Sequence, residues 1–256
     1  LGRTIDVGDL PTLIEMLGNA EVREGVVAAV ATACARMPRE IATEHLARSY
    51  QALDRPGRIA VLEQVGQLEG PDALKMIRSV AYSGDETAVD AATRVLGRWS
   101  SPEAGELLLE LARELSEPKY RIRALRGYLR LARQFDMPIE QRITMCRQAV
   151  GAADRDDERL LVLEILGRHP TRDGLMLAMN LANGDLKQKG LEASVAIAET
   201  LVVSDPQGVL AANSQLRQTS AGTPLAARLI AAIDGATVAA RIRSVEPDFV
   251  PLFDGS

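Results

Sequence analysis

One short phrase recurs along the chain, and it limits the possible fold more than any other feature. Leu-Gly-Arg occurs at residues 1–3, 96–98 and 166–168, and in the last two places it closes an apolar helical run. Residues 61–66 (VLEQVG) carry a similar phrase without the arginine. Recurrence at intervals of roughly thirty to forty residues is typical of a helical solenoid, in which each repeat buries its apolar face against its neighbours. Because the first copy begins at Leu1, we expect the chain to start at the tail of a repeat.

Prolines divide the chain into helices. Proline is favoured at the first position of a helix, because its fixed φ is already helical and its missing N–H has no partner there. Nine prolines stand at the front of an apolar run with helical spacing: Pro11, Pro38, Pro56, Pro71, Pro102, Pro118, Pro138, Pro206 and Pro224. The periodicity then predicts helix pairs at 10–17 with 22–37, 39–52 with 56–68, 72–81 with 86–99, 102–115 with 119–134, 139–149 with 157–168, 172–181 with 186–202, and 207–218 with 224–233. We therefore expect an all-α, right-handed α-α superhelix of six to seven helical repeats, folding as one cooperative unit without an internal boundary.

Composition limits the classes of partner. Of the 256 residues, 46% are hydrophobic but only 3% are aromatic, so the core must be built from aliphatic side chains that suit closely packed helices. The formal net charge of −5 disfavours nonspecific attraction to a polyanion, and we do not expect a nucleic-acid partner. Even the apolar stretch 25–35 is too short to cross a membrane and is bounded by Arg23 and Arg36. We expect no membrane span.

Three segments resemble the second half of a HEAT repeat. Residues 20–30 (AEVREGVVAAV) show an acidic turn, a Val-Arg pair and then small and apolar residues at helical intervals. Residues 85–92 follow the pattern but place Asp90 where arginine is usual, and residues 120–125 restore an Ile-Arg pair. The resemblance to HEAT-repeat, armadillo-like solenoids covers residues 9–233. It implies a scaffold that binds other macromolecules along one long surface.

The last sixteen residues, 241–256, break the helical pattern and contain two of the three phenylalanines. Residues 249–255 (FVPLFDG) resemble the opening strand of 3-keto-disaccharide hydrolase-like domains, which are β-sandwich modules of carbohydrate-processing bacterial proteins. This resemblance implies a HEAT-repeat solenoid at 1–240 and an extended linker at 241–256 that leads into a missing C-terminal domain. The chain is then a fragment truncated at both ends, and its parent is expected to be an exported or periplasmic bacterial protein.

Few residues favour catalysis or metal binding. The two histidines, His45 and His169, are not accompanied by cysteines or carboxylates at ligand spacing, which argues against a zinc or iron site. Cys34 and Cys146 each lie in an apolar helical segment, where a free cysteine behaves as a small buried hydrophobe. No glycine-rich phosphate loop is present, and Gly66, Gly97 and Gly167 are interpreted as glycines at helix ends. We predict no catalytic residue, no metal and no cofactor.

Acidic clusters have a structural explanation. Asp154, Asp156, Asp157 and Glu158 fall at the predicted start of a helix, where carboxylates cap N–H groups and offset the helix macrodipole. The same explanation covers Asp85 and Glu86.

One concentration of positive charge stands out. Between Glu117 and Arg133 there are six basic residues and a single acid, with Tyr120 and Tyr128 among them. Five of them follow three-and-four spacing and form one stripe: Lys119, Arg123, Arg126, Arg130 and Arg133. Either the stripe is a solvated face whose arginines pair with acids of adjacent repeats, such as Asp90 and Glu158, or it is an anion-accepting patch on the concave surface that second helices line in HEAT arrays. Arginine with tyrosine or tryptophan is the composition favoured at binding hot spots. The predicted binding patch consists of Arg94, Arg98, Trp99, Arg123, Arg126 and Arg130.

Two functions remain open on this sequence. The leading hypothesis is a non-enzymatic interaction or scaffold module of a larger, carbohydrate-active bacterial protein, bound to a protein partner or to a neighbouring domain of the same chain. The alternative is a nucleic-acid-binding or DNA-glycosylase-like HEAT enzyme that uses the basic face. The acidic net charge and the scarcity of aromatic rings for base stacking argue against the alternative.

Overall fold

The computed structural model of the protein describes residues 7–245, and all regular structure in that range is helical. Fifteen α-helices follow one another: α1 Leu10–Met16, α2 Arg23–Cys34, α3 Arg39–Tyr50, α4 Arg55–Leu68, α5 Pro71–Ala81, α6 Glu86–Gly97, α7 Gly105–Glu114, α8 Pro118–Gln134, α9 Ile139–Ala152, α10 Asp156–Arg168, α11 Arg172–Leu181, α12 Lys187–Ser204, α13 Pro206–Ala211, α14 Asn213–Ser220 and α15 Ala226–Val245. Short 3₁₀ turns at Val7–Asp9, Pro102–Ala104 and Gly184–Leu186 precede α1, α7 and α12. The all-α prediction is confirmed.

Capping residues explain why the helices begin where they do. The Asp85 carboxylate accepts hydrogen bonds from the N–H groups of Thr87 and Ala88, at 2.9 and 3.2 Å, as the sequence predicts. Asp54, Thr171 and Asp205 cap α4, α11 and α13 in the same way. The prolines mark helix starts to within two residues. Two of them, Pro38 and Pro138, are N-cap residues, while Pro224 lies in the turn before α15.

The structure divides into two compact units, the first ending at Leu131 and the second beginning at Ala132. The sequence predicts a single array without an internal boundary, and the structure differs by placing this division inside α8. In the first unit α1, α3, α4 and α5 each pack against the next helix and the next but one, as in α3 with α4 and α5. This order is typical of stacked helix pairs, because each pair buries its apolar face against its neighbours. The right-handed superhelix remains a prediction.

Close helix approach depends on glycine at specific positions. A Cβ at Gly127 of α8 would lie 3.2 Å from the Cα of Gly97 on α6 and 3.0 Å from a Leu108 methyl group. A Cβ at Gly66 would lie 2.4 Å from a methyl group of Val95. The prediction that Gly66 ends a helix is wrong, since α4 continues to Leu68 and the missing side chain lets α6 pack against it.

The second unit contains α9 to α15 and the end of α8. Helices α9, α10 and α12 again contact the next helix and the next but one, whereas α11 contacts α12 and α14. The single helix predicted at 207–218 is two helices, α13 and α14. Residues 241–245, predicted as part of an extended linker, are helical instead, because α15 continues to Val245. The rest of the predicted linker, 246–256, lies outside the described residues.

Candidate functional site

The predicted binding patch lies on α6, α8 and the turn after α6. Arg94 is on α6, Arg98 and Trp99 follow its last residue, and the other three arginines are on α8. Trp99 has only 1% of its surface exposed, so its role as a contact residue is corrected: it fills the core of the first unit. In the sequence, a tryptophan at a helix end fits either contact with a partner or packing in the core. The burial of Trp99 shows that it packs in the core.

Arg123 holds α8 against α6. Its Nη1 donates to the Asp90 carboxylate at 2.9 Å, to the Asp90 carbonyl at 3.0 Å and to the hydroxyl of buried Thr93 at 2.9 Å. The pairing with Asp90, one of the two alternatives left open by the sequence, is therefore observed. Charge-assisted bonds of this kind stabilise the packing of the two helices, and they occupy Nη1 of the guanidinium.

Nearby groups of α8 bind to the first turn of α6 in a similar way. The Lys119 ammonium lies 2.7 Å from the Glu86 carboxylate, and the hydroxyl of buried Tyr120 donates to the Glu86 carbonyl at 3.0 Å. Tyr128 is also buried. The tyrosines among the basic residues of α8 are therefore core residues, like Trp99.

Arg130 closes the C-terminal end of α6. Its Nε donates to the Gly97 carbonyl at 3.0 Å, and its Nη2 donates to the Trp99 carbonyl. Carbonyl groups at a helix C-terminus have no partner within the helix and carry the negative end of its dipole, so an arginine there is favourable. Half-buried Arg130 acts as a structural cap.

The same arrangement recurs in both units, and sequence reasoning missed it. Each of five further arginines donates to carbonyls at the end of an earlier helix: Arg23 to Leu17, Arg58 to Leu53 and Gln51, Arg142 to Ala132 and Phe135, Arg159 to Ala153, and Arg243 to Val203. In several cases the arginine follows the carbonyl by five to seven residues. An arginine at that distance after a helix end is the sequence signal that could have identified these caps.

Three arginines of the predicted patch remain exposed. Arg94 lies 3.3 Å from Asp90, Arg126 is on the outer side of α8, and Arg98 makes no hydrogen bond or ion pair with another described residue. Arg98 lines a recess of about 380 Å³ together with Glu63 and Glu69. Two carboxylates beside one guanidinium make this recess a poor anion site. Binding by the predicted patch therefore remains a prediction only for Arg94, Arg98 and Arg126.

A larger groove runs between α3 and α5 in the first unit. Its volume is about 590 Å³, and α5 is placed by a turn in which Glu69 and Gly70 both have positive φ before Pro71 starts the helix. Apolar atoms come from α3 and α5, with Ile41 45% exposed at one end and buried Tyr50 at the other. The lining residues are Glu40, Ile41, Thr43, Glu44, Ala47, Tyr50, Gln51, Asp72, Lys75, Met76 and Ser79. This groove could not be predicted from the sequence, because its lining residues follow ordinary helical spacing.

The groove has an apolar floor and an acidic rim. Three carboxylates and one ammonium line it, and Glu40 and Glu44 pair with Arg39 and Arg48. Asp72 and Lys75 form no ion pair with each other or with another described residue. The lining has more carboxylates than ammonium groups, and both ion pairs are exposed, so a positively charged partner group is favoured where it meets Asp72 or replaces Arg39 or Arg48.

Tyr50 is the polar group at the floor of the groove. It is 5% exposed, its hydroxyl finds no hydrogen-bond partner among residues 7–245, and the Arg58 guanidinium lies over its ring at 5.7 Å. Burial raises the pKa of the phenol, with the nearby Arg58 charge opposing that shift. The phenol is therefore neutral at physiological pH and can donate a hydrogen bond.

Other chemistry-bearing groups do not assemble into a site. Within residues 7–245 no three histidine, cysteine, aspartate or glutamate side chains are grouped closely enough to hold a metal ion. Cys34 and Cys146 are buried free thiols, and burial raises their pKa to about 11 and about 12. Burial and the charges of Arg142 and Arg168 lower the pKa of His169. None of the helices described is both long and apolar enough to cross a membrane.

Comparison of the chain with protein-family models, curated proteins and solved structures finds no match.

Proposed function

We propose that this chain is a non-enzymatic protein-interaction module that binds an apolar, basic segment of its partner in the α3–α5 groove. The groove itself is the observation that carries the proposal. Two neighbouring helices leave an open recess of about 590 Å³ with exposed Ile41 at its edge. A recess of this form suits a partner helix or strand that inserts apolar side chains.

Charge supports a basic partner over an anionic one. Glu40, Glu44 and Asp72 outnumber Lys75 around the groove. Complementary charge around an apolar contact increases the association rate and selects among partners.

The resemblance to HEAT arrays and to the opening strand of a β-sandwich domain extends this proposal. The partner is then a protein or a neighbouring domain of the same chain, within a larger carbohydrate-active bacterial protein. The groove would position that partner without taking part in its chemistry.

The proposal is tested by selecting peptides from a random display library on the 256-residue chain. Enriched peptides should combine apolar side chains with lysine or arginine, and Ile41→Glu should weaken their binding at least about tenfold, or 1.4 kcal/mol. Met176→Glu is the matched control, because Met176 is a similarly exposed apolar residue on α11, outside the groove. Peptides that are acidic, or that bind Ile41→Glu as well as the unchanged chain, would contradict the proposal.

The nucleic-acid alternative has less support from the same residues. Arg123 and Arg130 are engaged by α6, and Trp99, Tyr120 and Tyr128 are buried and offer no ring for base stacking. Retention of the chain on heparin or DNA at about 0.15 M salt would reverse this order of preference.

A further inference from the structure

Each unit has a groove between the first helices of two successive helix pairs. The groove between α9 and α11 in the second unit has a volume of about 370 Å³, against about 590 Å³ for the α3–α5 groove. In both cases the earlier helix follows an N-cap proline, Pro38 or Pro138. In both cases the second residue of the later helix is an aspartate that lines the groove, Asp72 or Asp173. The two grooves can therefore be compared position by position.

The lining residues of the earlier helices have the same register. Glu40, Thr43, Glu44 and Ala47 line the α3–α5 groove, and the residues 100 positions later, Glu140, Ile143, Thr144 and Arg147, line the α9–α11 groove. Residues three and four positions apart share one face of a helix, so each earlier helix turns an equivalent face to its groove. Repeated helix pairs produce such a correspondence.

One of these positions distinguishes the two grooves chemically. Arg147 of α9 reaches α11, where its Nη2 lies 3.2 Å from the Asp173 carboxylate. At the equivalent position α3 has Ala47, and Asp72 forms no ion pair with another described residue. The α9–α11 groove is thus spanned by a guanidinium of the chain itself, whereas the α3–α5 groove presents the equivalent carboxylate without a cation from α3.

We infer that Asp72 anchors an arginine side chain of the partner, which lies over Ala47 and takes the place that Arg147 occupies in the α9–α11 groove. The inference rests on the proposed function and adds the partner residue that the groove selects. Arginine suits this position better than lysine, because its planar guanidinium is weakly hydrated and can donate two parallel hydrogen bonds to one carboxylate.

The exposure of this pair limits what it adds to affinity. In the equivalent pair, the side chains of Arg147 and Asp173 are 58% and 65% exposed, and exposed ion pairs contribute little in water. The arginine therefore selects and orients the partner, while apolar contacts such as those of Ile41 supply most of the affinity. Removing the positive charge of the partner should weaken binding about two- to fivefold.

Two tripeptides of the same shape test the inference on the 256-residue chain. One is acetyl-Leu-Arg-Leu-amide, and in the other citrulline replaces the guanidinium by a neutral urea group of the same size. Each is titrated into protein that is isotope-labelled at alanine and isoleucine methyl groups, so that the NMR signals of Ala47 and Ile41 report on the groove. The arginine peptide should shift both signals and bind about two- to fivefold more tightly than the citrulline peptide.

Two variants should remove the preference for the arginine peptide. Asp72→Asn removes the carboxylate, and Ala47→Arg supplies a guanidinium from α3, as Arg147 does from α9. Ala28→Arg is the matched control, because Ala28 is an exposed alanine of α2 outside the groove and the change adds the same charge. The control should keep the preference for the arginine peptide.

The inference is overturned if the two peptides bind the unchanged chain equally, or if the preference for arginine persists in Asp72→Asn. In either case a shift of the Ile41 signal would still support binding in the groove, so the proposed function would stand without this anchor. If neither peptide shifts the Ile41 signal, the proposed function is contradicted and the inference with it.

Discussion

Two surfaces of the first unit differ in how much of their chemistry remains available. At the junction of α6 and α8, Arg123 and Arg130 are bound to carboxylate and carbonyl groups, and Trp99 is buried. In the groove between α3 and α5, Ile41 is exposed and the Tyr50 hydroxyl has no partner among the described residues. The residues that are most conspicuous in the sequence are thus used for packing, while a groove of ordinary residues is open.

This difference shows that a high local number of arginines in the sequence does not mean that their side chains are available to a ligand. Arginine is abundant at the α6–α8 junction because helix ends and buried backbone carbonyls need donors there. A binding surface needs groups without internal partners, and these are found where two helices diverge. Each prediction below compares a residue that is engaged in packing with one that is not.

The largest effect is expected for Trp99→Ala. Removing a fully buried ring leaves a cavity, so the free energy of unfolding should fall by about 3–5 kcal/mol. Arg98→Ala, at the exposed neighbouring residue, should change it by less than about 0.5 kcal/mol. Urea unfolding measures both, and similar small values for the two variants would refute the core role of Trp99.

Charge reversal of Arg123 should have the next largest effect. Arg123→Glu loses the bonds to Asp90 and Thr93 and places two carboxylates together. The free energy of unfolding should therefore fall by about 1–3 kcal/mol. Solvent screening limits the effect, because Arg123 and Asp90 are both partly exposed. Arg98→Glu is the matched control without an internal partner. If Arg123→Glu is as stable as the control, Arg123 is available for a ligand after all.

Replacing two buried tyrosines by phenylalanine should have smaller effects on the free energy of unfolding, and each change removes only one hydroxyl. Tyr120→Phe removes the hydrogen bond to the Glu86 carbonyl and should cost about 0.5–1.5 kcal/mol. Tyr50→Phe removes a hydroxyl without a partner among the described residues, so the free energy of unfolding should stay the same or rise. Equal losses in the two variants would show that Tyr50 has a partner in solution.

The stability of the unchanged chain should depend on pH differently from that of the Tyr50→Phe variant. Burial raises the pKa of the folded-state phenol above its unfolded value of about 10, so the unfolded chain loses the proton more easily. The contribution is fully present below about pH 10 and is lost as the pH rises through the folded-state pKa. Raising the pH from about 9 to 11 should therefore lower the free energy of unfolding of the unchanged chain more than that of Tyr50→Phe. Parallel curves for the two proteins would contradict this.

The smallest effect on stability is expected for Ile41→Gln. This side chain is 45% exposed at the edge of the groove, so thermal unfolding should shift by less than the equivalent of about 0.5 kcal/mol. Leu46→Ala, at a fully buried position of the same helix, should cost about 2–5 kcal/mol. A large loss for Ile41→Gln would mean that Ile41 belongs to the core, and the groove would lose its apolar edge.

Local features were predictable from the sequence with good accuracy. Proline positions and the 3.6-residue period place α3, α5 and α12 within a few residues of their observed bounds, because helix starts and apolar faces depend on residues close in the chain. The capping role of Asp85 is confirmed for the same reason. The last helix was predicted at 224–233, whereas α15 continues to Val245 and Arg243 donates to the carbonyl of Val203 on α12, a contact distant in sequence.

The sequence by itself therefore determined the all-α class, the order of the helices and most of their bounds. The tertiary structure alone decided which charged and aromatic residues remain available. Arg123 and Arg130 find their partners 33 residues earlier in the chain, at Asp90 and Gly97, and the α3–α5 groove exists only where two separate helices meet. Helix formation is governed by interactions within a turn or two, but the exposure of a side chain depends on what the rest of the fold packs against it.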